Sequence, residues 1–500
     1  MIDGGDAMAQ RPGISRLHCA SVIALAAVGG LLTLPAVVAA QGSDATPVPE
    51  IQRTTPATET EGANEAGESH KGGLWQRDVL TGDWNGLRSS LETKGLRLGL
   101  NYIGEVLGNP AGGVSHGTIY EGRLEGVLDL DLEKAIGWTG GTFHANAYQI
   151  HGRGLSANYL GNNLMTASNI EAARTTRLFD LWLQQTLFDG FLSVRAGQIA
   201  ADDEFIISQY AANFVNSTFG WPAILAVNAI SGGPAYPLAT PGARISLAPS
   251  KQLSFSAAVF NGDPAGPGPG NPQERDASGT NFRIGDGAFS IAEAAYALNQ
   301  EKDAAGPPGT YKLGGFYHTG RFPDPREDDT GLSLANPASS GRPAIRHTHF
   351  GFYLVADQMV WRKADTTDQG LGFFVRIAGE PPEGSQVKFY ADGGINYKGL
   401  LPGRDNDVFG IAVAYSKISN EARGFDGDTN AFNDSTRPVR NFETVLEMTY
   451  RAQLAPWWSV QPDLQFIFHP GGNIAQPNDP SGTQAIPNAV VLGLRSAIAF

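Results

Sequence analysis

The last strand-like segment constrains this chain most. Val490, Leu492, Leu494, Ile498 and Phe500 share one parity, with only Ser496 interrupting, while Gly493, Arg495, Ala497 and Ala499 share the other. Successive side chains of a strand point to opposite faces, so one face is apolar and the other small or polar. The sequence ends on an aromatic residue behind that stripe. Such an ending is expected to engage a barrel-assembly machinery through Phe500.

The same code recurs from about Leu96 onward. Leu253, Phe255, Ala257 and Val259 alternate with Ser254, Ser256 and Ala258. Phe442, Thr444, Leu446, Met448 and Tyr450 alternate with Glu443, Val445, Glu447, Thr449 and Arg451. Val460, Leu464, Phe466 and Phe468 alternate with Gln461, Asp463 and Gln465. One such strand also suits a soluble sandwich. Repeated tall stripes with aromatics toward the strand ends point instead to strands that face lipid. Pro462 donates no ladder bond, so it is expected at a strand start or bulge.

Between the strands lie turn clusters: Gly262-Asp263-Pro264, the run Gly266 to Gly270, Gly306-Pro307-Pro308-Gly309 and Asp426-Gly427-Asp428. At about 25 residues per strand with its connection, the body accommodates roughly 16 strands, an even number as such barrels require. The expected fold is all-β: a transmembrane antiparallel barrel over 96–500, preceded by a short N-terminal periplasmic helix. That helix is expected over Gly86 to Gly95, with Leu87 and Leu91 on one face, inside a periplasmic segment spanning 74–95.

The N-terminus carries Arg11 and Arg16, an apolar run from Ala20 to Val38, and the small residues Val38-Ala39-Ala40. This is the pattern of a signal peptide over 1–40, cut after Ala40. Residues 41–73 are rich in Pro, Thr, Glu, Gly and Ala, which cannot bury enough surface to offset ordering, and read as a disordered periplasmic linker. The single cysteine, Cys19, falls in the removed part, leaving no thiol for a disulfide framework or a cysteine-ligated metal. A net charge of -14 argues against nucleic acid as a partner. Past the N-terminus no apolar run approaches the roughly 20 residues of a membrane helix.

Longer motifs carry a resemblance. They are LTGDWNGLR from Leu80, GVLDLDLEKAIGWTGGTFHANAYQIHG from Gly126, TTRLFDLWLQQ from Thr175, RAGQIAADDEF from Arg195, FGWP from Phe219, SGGPAYPLATPGARI from Ser231 and WWSVQPDLQFIFHPGG from Trp457. In content and order the chain resembles the carbohydrate-selective porin family of the OprB type. The resemblance implies a Gram-negative outer-membrane porin for passive diffusion of small carbohydrates, monosaccharides such as glucose, into the periplasm. A general diffusion porin without sugar preference is the alternative. The implied partners are small sugars, outer-membrane lipid and lipopolysaccharide, with the barrel working as monomer or trimer.

A pore selects by diameter, by donors and acceptors on its wall, and by electrostatic barriers. Sugars offer hydroxyls to carboxylates and guanidinium forks, and flat C–H faces to aromatic rings. The candidate region is Gln198 to Gly242, because a loop this long is uncommon unless functional. Asp202, Asp203 and Glu204 follow a strand ending near Ile199, then come Phe205, Tyr210, Phe214, Phe219 and Trp221, the Gly232-Gly233-Pro234 turn, and a strand resuming near Ala243. The loop is expected to fold into the barrel and narrow it. Arg195 and Arg244 flank it with polar parity, and Asp180, Trp182 and Gln184 share a face opposite Leu181 and Leu183. The expected pore-lining set is therefore Asp180, Trp182, Arg195, Asp202, Asp203, Glu204, Trp221 and Arg244. Plainer roles compete: structural ion pairs for the arginines, an interface girdle for Trp182, and capping of a helix starting at Phe205 for the acidic triplet.

Enzymatic readings fare worse. A glycoside hydrolase needs two carboxylates flanking the bond, and sequence supplies no spaced partner for the triplet. Nucleophile-elbow and P-loop patterns are absent. Asp426, Asp428 and Asn430 have calcium-loop spacing, but Ala431 and Arg437 occupy the positions that need glycine and glutamate. His347 and His349 share a parity, with no third metal ligand evident. No catalytic residue, metal or cofactor is expected. A plugged transporter would need more chain than precedes the first strand to fill a lumen of about 22 strands.

Overall fold

The computed structural model describes residues 73–500 apart from 162–163, 302–303, 305 and 382–383. The expected signal peptide, and the linker up to residue 72, lie outside the described residues. The strands are β1 (Leu96–Ala111), β2 (Gly117–Asp131), β3 (Gly141–Gly152), β4 (Thr175–Leu187), β5 (Leu192–Ile199), β6 (Thr240–Leu247), β7 (Leu253–Asn261), β8 (Ala288–Leu298) and β9 (Gly309–His318). There follow β10 (Phe322–Asp328), β11 (Pro343–Arg346), β12 (His349–Arg362), β13 (Gly370–Gly379), β14 (Val387–Lys398), β15 (Val408–Ile418), β16 (Phe442–Ala455), β17 (Trp458–Phe468) and β18 (Ala489–Ala499).

All but β10 and β11 form one closed antiparallel barrel of sixteen strands. Neighbours in sequence are neighbours in the wall, and β1 closes on β18 with Tyr102 opposite Ile498. Closure leaves no strand edge, so the wall pairs its backbone groups without water. The alternation read from sequence then separates two surfaces. Leu313, Phe352, Leu354, Val413, Leu492 and Leu494 stand exposed outside, whereas Glu105, Asp392, Glu447 and Gln465 are buried inside. That is the arrangement of a membrane barrel, apolar toward lipid and polar within.

Two irregularities of the stripes have local causes. Ser496, the polar break in the last strand, accepts a hydrogen bond from Trp458 Nε1 at 3.0 Å, so its hydroxyl is partnered on the outer face. Pro462 lies neither at a strand start nor at a bulge, contrary to expectation. It sits within β17 opposite Leu494, and the register to β16 is the same on both sides of it. Its missing N–H falls in a gap of the β16–β17 ladder, where Thr449 Oγ1 donates to the Pro462 carbonyl at 3.1 Å.

Short turns such as β4–β5 and β16–β17 gather at one rim, the periplasmic side in barrels of this kind. The helix Leu87–Thr93 packs there against β1. Leu80 N donates to Ala499 O at 2.8 Å, Arg88 Nη2 to Phe500 O at 3.0 Å, and Trp457 Nε1 to Leu74 O at 2.7 Å. The segment before the first strand is thus tied across the β1–β18 seam.

The other rim carries the long connections. β10 and β11 form a hairpin above the wall, and the helix Asn420–Asn433 lies against it. Arg326 forks onto Asp428 at 2.8 and 3.1 Å, and Arg440 onto Asp426 at 2.8 Å. The calcium-like spacing of Asp426, Asp428 and Asn430 therefore belongs to a helix, capped by Ser419, and its two carboxylates hold arginines. The two histidines do not share a strand face either. His347 is exposed in the link between β11 and β12, and His349 is buried at the start of β12.

The outward position of Val413 in mid-β15 makes one test direct. Val413→Arg should lower the unfolding free energy in lipid vesicles by about 2–4 kcal/mol, the cost of a cation near the bilayer midplane. Denaturant titration of the two proteins measures it.

Candidate functional site

The connection between β5 and β6, residues 200–239, folds into the barrel. Its path can be followed through the wall groups that hold it. Ile206 N donates to Glu293 on β8 at 2.9 Å, and Gln209 N to Asp357 on β12 at 3.0 Å. Asn213 Nδ2 reaches Asn396 on β14 at 3.0 Å. Val215 N and Asn216 N both donate to Glu447 on β16, at 2.6 and 2.9 Å, and Asn216 Nδ2 donates to Gln465 on β17 at 3.0 Å. In the strand order, β14 to β16 lie across the barrel from β5 and β6, so the loop spans the lumen.

Arg376 on β13 is the densest of these anchors. Its guanidinium donates to the carbonyls of Ile206 (3.2 Å), Thr218 (2.9 Å) and Gly220 (2.9 Å), and it is paired with Asp392 on β14. One wall cation thus collects three loop carbonyls, with Tyr390 Oη also donating to that of Thr218 at 3.0 Å. Phe214 and Phe219 pack on each other and on Phe374 of β13, with ring centroids 4.9 to 6.2 Å apart. The β3–β4 connection also turns inward and braces the first loop. Asn169 N donates to Val215 O at 2.8 Å, Ser217 N to Thr166 O at 3.0 Å, and Gln465 Nε2 to Ala167 O at 2.8 Å. This second loop was not anticipated from the sequence.

On the near wall, β5 and β6 place Arg195 directly opposite Arg244. Like charges across a strand pair repel, and Glu204, from the first turn of the loop, resolves the clash. Its Oε1 accepts from Arg195 Nη1 at 2.7 Å and its Oε2 from Arg244 Nε at 2.5 Å. Gln184 Oε1 accepts from both arginines at 2.9 Å. Charge-assisted bonds of this kind are about twice as strong as neutral ones. Arg195 also lies over the Trp182 ring, 3.7 Å from its centroid, a cation–π contact that fixes the guanidinium plane. The His144 ring stacks on the same tryptophan at 4.8 Å and bonds to Asp129 at 2.5 Å. A continuous inner ladder therefore runs Asp129, His144, Trp182, Arg195, Gln184, Glu204, Arg244 across β2 to β6.

The predicted residues divide accordingly. Asp180, Trp182, Arg195 and Arg244 all point inward, and Glu204 joins the two arginines. Trp182 belongs to the inner ladder and not to an outer girdle. Asp180 is buried nearer the rim of the long connections, beside Asn146, whose Oδ1 accepts from Asp180 N at 2.8 Å. Asp202 holds the loop together, accepting from Tyr236 N at 2.9 Å, and Asp203 is half-buried in the same turn. No helix begins at Phe205. Trp221 faces the loop interior: it is 9% exposed and its Nε1 donates to Gly232 O at 3.1 Å. Its ring lies against Gly233 of the loop's own turn and so packs the loop, where the expectation was a ring offered to a solute. Arg376, Glu447, Gln465, Asp357 and His144 were missed as site builders. Their inward parity was visible, but which loop atoms they would meet was not.

A clamp near the wide rim completes the loop's fixation. Asn228 Nδ2 donates to Glu380 Oε2 at 2.8 Å and to Val387 O at 2.7 Å, while its Oδ1 accepts from Gln386 N and Val387 N. Burial pushes the Glu380 carboxyl up to about 8, against the hydrogen bonds from Ser385 and Asn228 and the charge of Lys388.

A closed barrel, apolar outside and polar inside, with a lumen narrowed by an anchored inward loop, is a diffusion channel of the porin class. The family model of the carbohydrate-selective porins, OprB family, matches residues 115–500, and the chain belongs to that family. Membership places it in the Gram-negative outer membrane. Porin B of Pseudomonas aeruginosa is 25% identical over 446 residues, covering 84% of this chain and 91% of that protein. A putative porin, QuiX, of Acinetobacter baylyi is 23% identical over 457 residues, covering 85% and 94%. The high-pH structure of Pseudomonas putida OprB superposes with a TM-score of 0.75 at 24% identity, covering 86% of this chain and all of that one. This last likeness supports the fold.

Two outcomes follow from the anchors. Arg376→Ala leaves Asp392 buried without its cation and should cost about 3–5 kcal/mol of unfolding free energy. Planar-bilayer recording should show a larger, noisier conductance as the loop loosens. The Glu380 clamp should weaken with rising pH. A carboxyl raised in the folded state stabilises fully below its unfolded value near 4.5 and loses that contribution as pH climbs through about 8. Amide exchange at Gln386 and Val387, corrected for intrinsic rate, should accelerate between pH 5 and 9 in the wild type but not in Glu380→Gln.

Proposed function

We propose that this porin passes small neutral carbohydrates, monosaccharides such as glucose, by passive diffusion, and that Arg195, Arg244 and Glu204 form the selective wall of its constriction. Family membership supports the sugar class. The observation that carries the residue assignment is the shared Glu204 carboxylate between two guanidiniums at the root of the lumen-crossing loop. Glu204 offsets one of the two guanidinium charges, so the trio holds a passing anion less strongly than two free arginines would. A polyol can exchange water for donors and acceptors along the same ladder, weakly enough to leave again. Trp182 holds Arg195 in plane. Asp180, Asp202 and Asp203 add acceptors and fix the loop.

Export by a signal peptide cut after Ala40, insertion guided by the C-terminal strand and a trimeric or monomeric working state are further parts of this reading. Its test is flux into liposomes. Monosaccharides should enter faster than amino acids and salts of matched size. The double variant Arg195→Ala/Arg244→Ala should reduce that discrimination while total conductance persists. Equal entry at equal size in the wild type would leave a general diffusion porin.

A further inference from the structure

The guanidinium of Arg195 is gripped at its edge, by Gln184 Oε1 on Nε and by Glu204 Oε1 on Nη1. Contacts at the edge leave the group free to tilt out of its plane. The Trp182 ring, 3.7 Å from the guanidinium carbon, supplies the missing restraint. A buried indole usually finds an acceptor for its N–H, which sets how the ring lies. Trp182 is 7% exposed, yet among the described residues its Nε1 meets no acceptor. Its orientation therefore comes from what packs on its faces.

His144 covers the second face. Strand register sets His144 on β3 directly opposite Trp182 on β4, and the rings stack with centroids 4.8 Å and planes 17° apart. Arg195 comes from β5, on the other flank of β4. Two groups this close to one ring cannot share a face, so the indole lies between imidazole and guanidinium. The imidazole is itself anchored. His144 Nδ1 bonds at 2.5 Å to Asp129, its cross-strand neighbour on β2. A carboxylate only accepts, so Nδ1 carries the proton. The second oxygen of Asp129, which is partly exposed, faces Arg97 Nε at 4.0 Å.

We infer that His144 is a positioning residue for sugar selection, holding Arg195 in place through the Trp182 ring, with Asp129 as its anchor. The inference rests on the proposal that Arg195 belongs to the selective wall. It also gives Trp182 a defined part. With both faces covered, the indole offers no surface to the C–H face of a sugar and acts as a spacer, passing the position of one ring on to a guanidinium. Deleting the imidazole uncovers one face of an indole that no hydrogen bond orients. The ring can then turn into the vacated space, and Arg195 can tilt about its two edge contacts. The inward loop keeps its anchors on Arg376 and Glu447, far along the wall, so the lumen stays narrowed. What should fall is the preference among solutes of one size, because only a guanidinium held in one plane presents its donors in a fixed direction.

The test is liposome flux through the full chain, glucose against a size-matched amino acid, in barrels that still shift on gels when heated. His144→Ala should lower the flux ratio about two- to fivefold, the worth of one cation–π contact. His144→Phe, which returns a flat ring to the indole, should recover most of the ratio. In an Arg195→Ala background His144→Ala should lower it no further, since two residues acting through one contact are not additive. If His144→Ala fails to assemble, Asp129→Asn, which weakens the anchor alone, is read in its place and should also lower the ratio. A ratio indifferent to the variant read, a loss that phenylalanine does not recover, or losses at His144 and Arg195 that add would overturn the inference. These outcomes leave the selective-wall reading standing. A ratio unchanged by Arg195→Ala alone would overturn that reading and this inference with it.

Discussion

A backbone that crosses hydrocarbon has no water to bond, and the rest of this structure follows from that constraint. The wall meets it by closing, β1 onto β18, so that the ladder has no edge. Closure forces every strand to alternate between lipid and lumen, and the lumen face becomes a polar surface without a soluble core behind it. The lumen inherits the same problem on a smaller scale. A loop that enters it brings amides and carbonyls that need partners, and the wall side chains provide them. Arg376 for Ile206, Thr218 and Gly220, and Glu447 for Val215 and Asn216, show the exchange.

The constriction is therefore an electrostatic construction before it is a steric one. Two arginines forced opposite each other by strand register would repel if alone. Glu204 reaches them from the loop, which ties the loop's first turn to the wall and lowers the local charge together. Gln184 and Trp182 then leave each guanidinium little freedom. Rigid donors and acceptors with one residual positive charge are what the proposed passage of neutral polyols rests on. That physical property agrees with membership in a family of carbohydrate-selective porins.

Much of the wall was legible in the sequence, because a period of two is a local property. The stripe ending in Leu492 and Leu494 is the outer face, and the inward set Asp180, Trp182 and Gln184 is where parity puts it. The inward loop was legible as a long interruption between Ile199 and the next strand. What its aromatic residues do was not legible. Phe205, Phe214 and Phe219 look like stacking platforms in sequence, yet each is 1% exposed, because the loop needs a small apolar core of its own to hold its shape inside a wet barrel. Asp426-Gly427-Asp428 reads as a turn cluster in sequence, yet it lies within the helix Asn420–Asn433. Spacing of two suggests a ligating loop only when the backbone is not helical, and the arginine partners that settle the matter come from distant strands or from beyond the helix end.

What the sequence determined by itself was the wall: alternation, turn clusters and length specify a closed barrel of this size, since each depends only on neighbours along the chain. What only the tertiary structure decided was the lumen. The pairing of Glu204 with both Arg195 and Arg244, the anchoring of the loop on β8 to β17, and the bracing by the β3–β4 connection join residues far apart in sequence. Such contacts depend on strand register, barrel diameter and loop path together, and no local periodicity encodes those.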